Sequence, residues 1–170
     1  MRTPKNYITN LSNGIITKEM LGMAIYSVNK RAKNYRDEEK YYREAYKNPF
    51  FFARHNYLEI SRERKKNLYD IKDEFLRFLA PSGVQTIIRQ TYKGSKKEYY
   101  YTYTVGSFRF HHPISKKAYK EFIKNNPDIV PQKSIDLKTY GRDIHELLSL
   151  QFAKKILKVM QTGNYTLIDD

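Results

Sequence analysis

Cysteine is absent from this 170-residue sequence, and no long apolar run occurs in it. Without cysteine, the chain has no disulfide, no zinc–thiolate site and no thiol nucleophile. The segment MRTPKNYITN at residues 1–10 lacks the apolar stretch of a signal peptide, and no window approaches the length of a membrane span. We therefore expect a cytoplasmic protein that has no membrane partner.

Acidic residues are scarce beside basic ones. The chain has 18 Asp and Glu against 32 Lys and Arg, which gives a net charge of +14 and a pI near 9.7. The excess is not confined to a tail, and residues 81–124 hold nine basic and two acidic residues. Such a charge favours a negatively charged partner, or it serves solubility.

Recognisable catalytic motifs are also missing. The sequence contains no HExxH, P-loop, GxSxG, EF-hand loop or pair of spaced carboxylates. His111 and His112 are adjacent on a predicted strand, so they point to opposite faces and are poorly placed to share a metal. We predict no enzymatic activity, no catalytic residue, no metal and no cofactor. A small metal-independent ribonuclease remains an alternative, because such an enzyme needs only a few positioned groups, such as His111 or His145.

The first half of the sequence predicts helices. Apolar residues recur at three- and four-residue steps from an N-cap at Thr17 to the break at Asn48-Pro49, and again over residues 56–79. A short linker between two long helices favours an antiparallel pair. Residues 1–16 are expected to be extended or loosely ordered, with a turn at Asn13-Gly14. The aromatic run Phe50–Phe52 is expected to pack into the core.

The second half predicts a sheet and further helices. Residues rich in Val, Ile, Thr and aromatics predict three strands, and Gly106-Ser107 suits a type II′ turn between the last two. Ser115 is expected to cap a short helix, and Gly163 to end the last one. The predicted strands are Val84–Tyr92, Glu98–Val105 and Phe108–His112, and the predicted helices run from Ser115 to about Lys124 and over Arg142–Gln161.

These elements predict a single α+β domain over residues 1–170. Two long N-terminal helices pack on a three-stranded antiparallel meander in this prediction, with a short helix and a C-terminal helix completing it. The helical part is residues 1–80, and residues 81–170 hold the sheet and the C-terminal helices. Covering one face of a sheet with helices is the ordinary α+β arrangement.

The segment Lys93–His112 combines six aromatic residues with several cations. Its aromatic face is either part of the core or an exposed platform on which nucleic-acid bases stack. The opposite face is polar and is the better binding candidate on either interpretation. Its candidate partner-binding residues are Tyr100, Arg109 and His111, edged by Lys93, Lys96 and Lys97.

A second candidate surface lies on the first long helix. Five cations recur at three- and four-residue steps, so they line one side of the helix beside its apolar face. We name this line the basic ridge. Such a line could follow a phosphate backbone, although local Asp and Glu side chains could equally balance it as a solvated surface. The basic ridge consists of Lys33, Arg36, Lys40, Arg43 and Lys47.

Three stretches resemble a known group of proteins. They are TKEMLGMAIYSVNKRAKNYRD from Thr17 to Asp37, YYYTYTVGSFRFHHPI from Tyr99 to Ile114, and TYGRDIHELLSLQFAKKIL from Thr139 to Leu157. Together they are similar to small proteins of phages and mobile elements of Firmicutes, notably staphylococci. Some members of that group are type II anti-CRISPR proteins that inhibit Cas9.

The resemblance implies a stoichiometric inhibitor that acts in the cytoplasm of a bacterial host. Its partner would be Cas9 or a Cas9–guide RNA complex. Because the chain is strongly basic, mimicry of DNA is excluded as its mechanism, and docking on an acidic protein surface or on the guide RNA is implied instead. Direct binding of DNA or RNA through the basic ridge and the polar sheet face is the alternative. The oligomeric state stays open.

Overall fold

The computed structural model describes residues 3–52, 55–91, 94–132 and 146–169. The chain forms two compact units, the first made of residues 1–78 and 145–170 and the second of residues 79–144. The sequence-based division at residue 80 groups the C-terminal helix with the sheet, whereas the structure places that helix in the first unit. The two units are described in turn.

The first unit begins with a short helix, α1, at Lys5–Ser12. Tyr7 is its buried residue. The prediction that residues 1–16 are extended or loosely ordered is therefore wrong for this segment, which lacks the longer apolar periodicity by which a helix is recognised. The turn predicted at Asn13-Gly14 is confirmed, since Asn13 ends the helix and Gly14 has a φ of 70°, a conformation that favours glycine.

Two long helices follow, α2 at Lys18–Ala45 and α3 at Tyr57–Leu76. The predicted cap is confirmed, because the Thr17 hydroxyl accepts a hydrogen bond from the amide of Met20 at 3.2 Å. Both helices end about three residues before their predicted ends. The Ser61 hydroxyl donates to Glu38 and the Lys72 ammonium donates to Asn29. These two pairs show that α2 and α3 run antiparallel, as expected.

The predicted role of the aromatic run after α2 is wrong. Phe50 is 92% exposed and Phe52 is 94% exposed, so neither packs into the core. Phe51 is half-buried. Its ring packs edge-on against that of Tyr46, with 5.2 Å between the ring centroids. Apolar character alone predicted burial here, but this run lies in the turn between two helices, beyond the residues that they bury.

The first unit is completed by its C-terminal segment. Helix α5 spans Leu150–Thr162, which begins later than predicted because residues 146–149 are not helical. The predicted start at Arg142 lies outside the described residues. The Ser149 hydroxyl caps the helix through the amide of Phe152, and Gly163 ends it with a φ of 77° as expected.

A small parallel sheet joins the two ends of this unit. Strand β1 at Ile15–Thr17 pairs with β5 at Thr166–Ile168, and Gly14 accepts a hydrogen bond from the amide of Thr166 at 2.8 Å. The sequence did not predict this pairing. Residues from α2, α3, α5 and β1 form the core of the unit. Its fully buried large side chains are Ile16, Met20, Leu21, Ile25, Val28, Phe75, Leu148, Ile156 and Met160.

The second unit contains an antiparallel sheet in the order β2-β3-β4. The strands span Gly83–Thr91, Gly94–Val105 and Phe108–Ile114. The two-residue turn predicted at Gly106-Ser107 joins the last two strands, so that Val105 faces Phe108, Tyr103 faces Phe110 and Tyr101 faces His112. Gly106 has a φ of 58° while Ser107 keeps a negative φ, as a type II′ turn requires.

Helix α4 at Lys116–Asn125 packs on the aromatic face of this sheet. The Ser115 hydroxyl caps it through the amide of Ala118, as predicted. Tyr119 of α4 lies against Tyr99, and Phe122 lies against Tyr101, with ring centroids 4.4 and 4.9 Å apart. Phe108 and Phe110 are fully buried. The aromatic face of the hairpin is therefore core, and it is not a platform for stacked bases.

The α+β class is confirmed, with long N-terminal helices, a three-stranded antiparallel meander, a short helix and a C-terminal helix. Within the described ranges, no helix has the length and apolar character needed to cross a membrane. The elements that carry the candidate binding residues are α2 in the first unit and β3–β4 in the second.

Candidate functional site

The basic ridge runs along the second half of α2. Lys33, Arg36, Lys40 and Arg43 lie on the helix, and Lys47 lies just beyond its end at Ala45. At 1.5 Å per residue, the ridge is about 20 Å long. All of its residues except Lys33 are exposed. The structure therefore brings the five predicted residues together on one side of the hairpin of α2 and α3.

Local carboxylates bind part of the ridge. Arg36 contacts Asp37 at 3.4 Å, and Lys47 contacts Glu44 at 3.1 Å, in pairs whose side chains are all well exposed. Exposed pairs of this kind contribute little to stability and exchange readily with other partners. Lys40 forms no ion pair with any residue that the structure describes. The cations of the ridge can consequently turn to an external anion at small cost.

Glu39 is the exception, because its carboxylate is 6% exposed and holds three cations. One oxygen accepts from Arg43 at 2.8 Å and from Arg62 at 3.1 Å, and the other accepts from Lys65. The hydrogen bond from Lys65 is the main cause that holds the pKa of Glu39 below its ordinary value. The buried carboxylate of Glu39 thus joins α2 to α3. Because it is bound by three cations, these four side chains together carry a net positive charge.

Lys33 occupies the half-buried end of the ridge. Burial lowers the pKa of Lys33, and the neighbouring charges of Arg36 and Lys30 lower it further. A cation under this repulsion gains from any anion that approaches it. The surrounding protein therefore disfavours the charge of Lys33, and the nearby carboxylate of Asp37 offsets this effect only in part.

Exposed aromatic side chains lie where the ridge ends. We name Tyr41, Tyr46, Phe50, Phe51 and Phe52 the aromatic tip. Four of them are exposed, to 63% for Tyr41, 39% for Tyr46, 92% for Phe50 and 94% for Phe52. The tip has an ordered base, since the Tyr46 hydroxyl donates to the backbone oxygen of His55 at 3.0 Å. Monomeric proteins seldom leave such groups together in water unless a partner uses them.

A groove of about 750 Å³ connects the ridge to the aromatic tip. Lys40 of the ridge and Tyr41 and Phe51 of the tip line it together. Its two carboxylates, Asp37 and Glu44, are those already paired with ridge cations. The groove therefore places a cation and aromatic rings beside one another in a space that can hold a flat ring.

The polar face of the second unit brings together fewer charges. Tyr100 donates its hydroxyl hydrogen to Glu98 at 2.9 Å. His111 lies 3.2 Å from the Thr102 hydroxyl through Nδ1 and is half-buried. Arg109 is exposed and lies opposite Thr104. The predicted residues do share one face, but Arg109 is its sole Arg or Lys among the described residues of β4.

The lysines expected to edge this face do not gather around Arg109. Lys96 is eight residues along β3 from the partner of Arg109, which corresponds to about 27 Å. Lys97 belongs to the other face, where its ammonium lies 5.9 Å from the centre of the Tyr99 ring. Lys93 lies outside the described residues. The sheet thus offers separated charges, whereas α2 offers a continuous line.

A third arrangement was not predicted at all. Arg31, Arg64 and Lys154 come from three different helices and line one cleft with Tyr35. Local sequence patterns carry no signal for a cluster assembled in this way. Within the described part of the chain, no three His, Asp or Glu side chains gather as metal ligands would.

The first unit therefore carries the densest candidate surface, formed by the basic ridge and the aromatic tip. Between residues 30 and 66, which contain both, the sequence has twelve Lys and Arg against six Asp and Glu. Comparisons of the chain with protein-family models, with curated proteins and with solved structures found no match.

Proposed function

We propose that this protein binds single-stranded nucleic acid through the basic ridge and the aromatic tip. The observation that carries the proposal is the exposure of Phe50 and Phe52 at the end of a line of cations. Proteins that hold single strands combine a positive groove along the backbone with aromatic rings on which bases stack. Stacking of this kind accepts any base, so it needs no sequence-reading side chains.

The dimensions of the surface agree with this function. A ridge of about 20 Å spans several phosphates of an extended strand. The groove beside Lys40 offers Tyr41 and Phe51 to a base whose phosphate contacts the ridge. The cations of the ridge, together with Arg62 and Lys65 at Glu39, outnumber the carboxylates beside them, so an incoming strand meets a net positive surface even when an exposed pair opens.

Fluorescence anisotropy with a labelled 12-nucleotide RNA tests the proposal. With about four phosphate contacts, the expected slope of log affinity against log salt is near −3, or about a 50-fold loss between 50 and 200 mM salt. The double variant R36Q/K40Q should make the slope shallower by about 1.4 units, because two phosphate contacts are lost. The double variant F50S/F52S should weaken binding about tenfold or more with little change in slope.

A matched control separates the ridge from the general charge of the protein. Like R36Q/K40Q, the double variant K5Q/K155Q removes two exposed positive charges, here from lysines of α1 and α5. It should reduce affinity much less than R36Q/K40Q. Equal losses would mean that net charge alone attracts the strand, and no binding at 50 mM salt would overturn the proposal. The same RNA should stay intact on a denaturing gel, since degradation lost with His111→Ala would favour a ribonuclease instead.

A second proposal concerns the setting in which such binding acts. The resemblance to phage and mobile-element proteins supports inhibition of a host nucleic-acid-processing complex, with Cas9 and its guide RNA as the first to test. A protein of charge +14 would approach the exposed guide RNA or an acidic surface of the nuclease. Copurification with Cas9, with and without guide RNA, checks this; absence of a complex under both conditions would contradict it.

A further inference from the structure

A cleft of about 480 Å³ lies in the first unit where α2, α3 and α5 meet. Its charged and aromatic lining comes from Arg31 and Tyr35 on α2, Arg64 on α3 and Lys154 on α5. The volume is that of a small-molecule site. It exceeds what a lone inorganic anion fills, so a ligand here would have an uncharged part as well.

Arg64 and Lys154 carry positive charge into the cleft from α3 and α5. No Asp or Glu is among the described residues that line it. Arg64 and Lys154 form no ion pair with any part of the chain that the structure describes. The nearest acidic residues along α2 are engaged elsewhere, Asp37 with Arg36, Glu38 with the Ser61 hydroxyl and Glu39 with its three cations. Arg64 and Lys154 therefore reach the cleft from two helices with no carboxylate between them among its described lining residues.

The remaining wall of the cleft suits a flat ring. Leu68 is buried, and Ile71 and Leu150 are half-buried. The guanidinium of Arg64 lies 5.7 Å from the centre of the Tyr35 ring, in a cation–π contact that orders both side chains. Arg31 donates to the backbone oxygen of Ser27 at 3.3 Å. Desolvation lowers the pKa of Arg31, which shows that its charge is partly removed from water.

We infer that this cleft binds a nucleoside 5′-phosphate. Arg and Lys side chains are the usual partners of a phosphate dianion, and the guanidinium of Arg64 can donate more than one hydrogen bond. The apolar and aromatic wall accommodates the base. The same chemical group occurs as a free nucleotide and as the phosphorylated 5′ end of a strand, so both sources present what the cleft recognises.

The cleft is separate from the basic ridge. On α2, positions 31 and 35 point about 140° away from positions 36 and 40, with the apolar packing face between them. Binding of a nucleotide in the cleft therefore does not require that the basic ridge binds RNA. Variants of one surface should leave the other unaffected, which keeps failure of the two proposals distinguishable.

Isothermal titration calorimetry with adenosine 5′-monophosphate tests the inference. K154Q should weaken binding about tenfold or more, because it removes one charged donor from the phosphate. K155Q is the matched control, since it removes the same charge from an adjacent exposed position that does not line the cleft. R36Q/K40Q should bind the nucleotide as the unaltered protein does. No binding, or equal loss in K154Q and K155Q, would overturn the inference.

Two further titrations identify what is recognised. Adenosine and inorganic phosphate should each bind much more weakly than the nucleotide; phosphate that binds equally well would overturn the assignment of a nucleoside site. Trinucleotides with and without a 5′-phosphate distinguish the sources. Preference for the phosphorylated form, sensitive to K154Q, would support recognition of a strand end, and failure of both trinucleotides alongside nucleotide binding would support a free nucleotide.

Discussion

Lys72 is a buried lysine, and burial disfavours its positive charge. It is 8% exposed in the first unit, and its ammonium donates to the side-chain oxygen of Asn29 at 3.0 Å. The pKa of Lys72 is lowered to about 8, mainly by burial and also by the charge of Lys33, while the charge of Asp73 partly opposes the shift. Because burying a charged lysine is costly, the free energy of unfolding depends on pH in the alkaline range.

The pH dependence has a definite sign. The pKa of Lys72 is lower in the folded protein than in the unfolded chain, where it is about 10.4. Between about pH 8 and 10.4 the unfolded chain holds more protons, so the free energy of unfolding rises with pH. Below pH 8 both states are protonated, so the dependence on pH disappears and the full cost of the buried charge remains.

Lys72→Met should therefore remove this rise in the free energy of unfolding with pH. From pH 7 to pH 10, the stability of the unaltered protein relative to the variant should rise by roughly 2 to 3 kcal/mol. The unpaired Asn29 oxygen affects both pH values alike, so it cancels in this comparison. Urea unfolding at the two pH values measures the effect. Lys66→Met, at an exposed position on α3, should show no such change, and an equal result for both variants would contradict the assignment.

At the scale of elements, Glu39 joins the two helices that carry the basic ridge. Its carboxylate binds Arg43 of its own helix and Arg62 and Lys65 of α3. Because the pKa of Glu39 is lowered in the folded protein, its contribution to stability is present above the ordinary carboxyl pKa and is lost as the pH falls through the folded value. The pair of helices should loosen in acid for this reason.

Glu39→Gln should reduce the free energy of unfolding at pH 7 by about 1 to 2 kcal/mol, since the cations it releases can return to water. The difference from the unaltered protein should narrow in acid, as the pH falls through the lowered folded pKa of Glu39 and protonation removes the same interactions. Urea unfolding at pH 7 and at a series of acidic pH values measures it. Glu44→Gln, which breaks an exposed pair, should change stability by less than about 0.5 kcal/mol. A variant that binds RNA as well or better would separate this structural role from the function of the ridge.

Local signals predicted individual elements better than their assembly. The caps at Thr17 and Ser115 and the C-terminal stop at Gly163 depend on side chains within a few residues, and all three are confirmed. The pairing of β1 with β5 joins segments about 150 residues apart, and nothing in either segment specifies the other. The later start of α5 at Leu150 was missed because the pattern of apolar residues continued upstream of its cap at Ser149.

The candidate sites follow the same rule. The five residues of the basic ridge lie on one helix, so their common side could be predicted from spacing alone. The cleft of Arg31, Arg64 and Lys154 could not, because each residue comes from a different helix. The aromatic run Phe50–Phe52 was assigned to the core because composition carries no information about which surface a turn presents.

For the whole molecule, the division into two units places the candidate surfaces in one part of the chain. The basic ridge, the aromatic tip and the cleft all lie within residues 1–78 and 145–170. The second unit carries a sheet whose aromatic face is covered by α4 and whose polar face has separated charges. The candidate binding groups are therefore concentrated in the first unit, which the net charge of the whole protein does not reveal.

Replacing residues 79–144 with a flexible linker of about ten Gly and Ser residues tests this distribution. The first unit should still fold, because α2, α3 and α5 pack on one another and β1 pairs with β5. We expect a helical circular dichroism spectrum, a cooperative thermal transition and RNA affinity within about threefold of the full chain, since the phosphate contacts are retained. A folded variant that no longer binds RNA would place the interface in the second unit or require both units. The same variant carrying F50S/F52S should lose affinity as the full chain does, because the stacking rings belong to the part that remains.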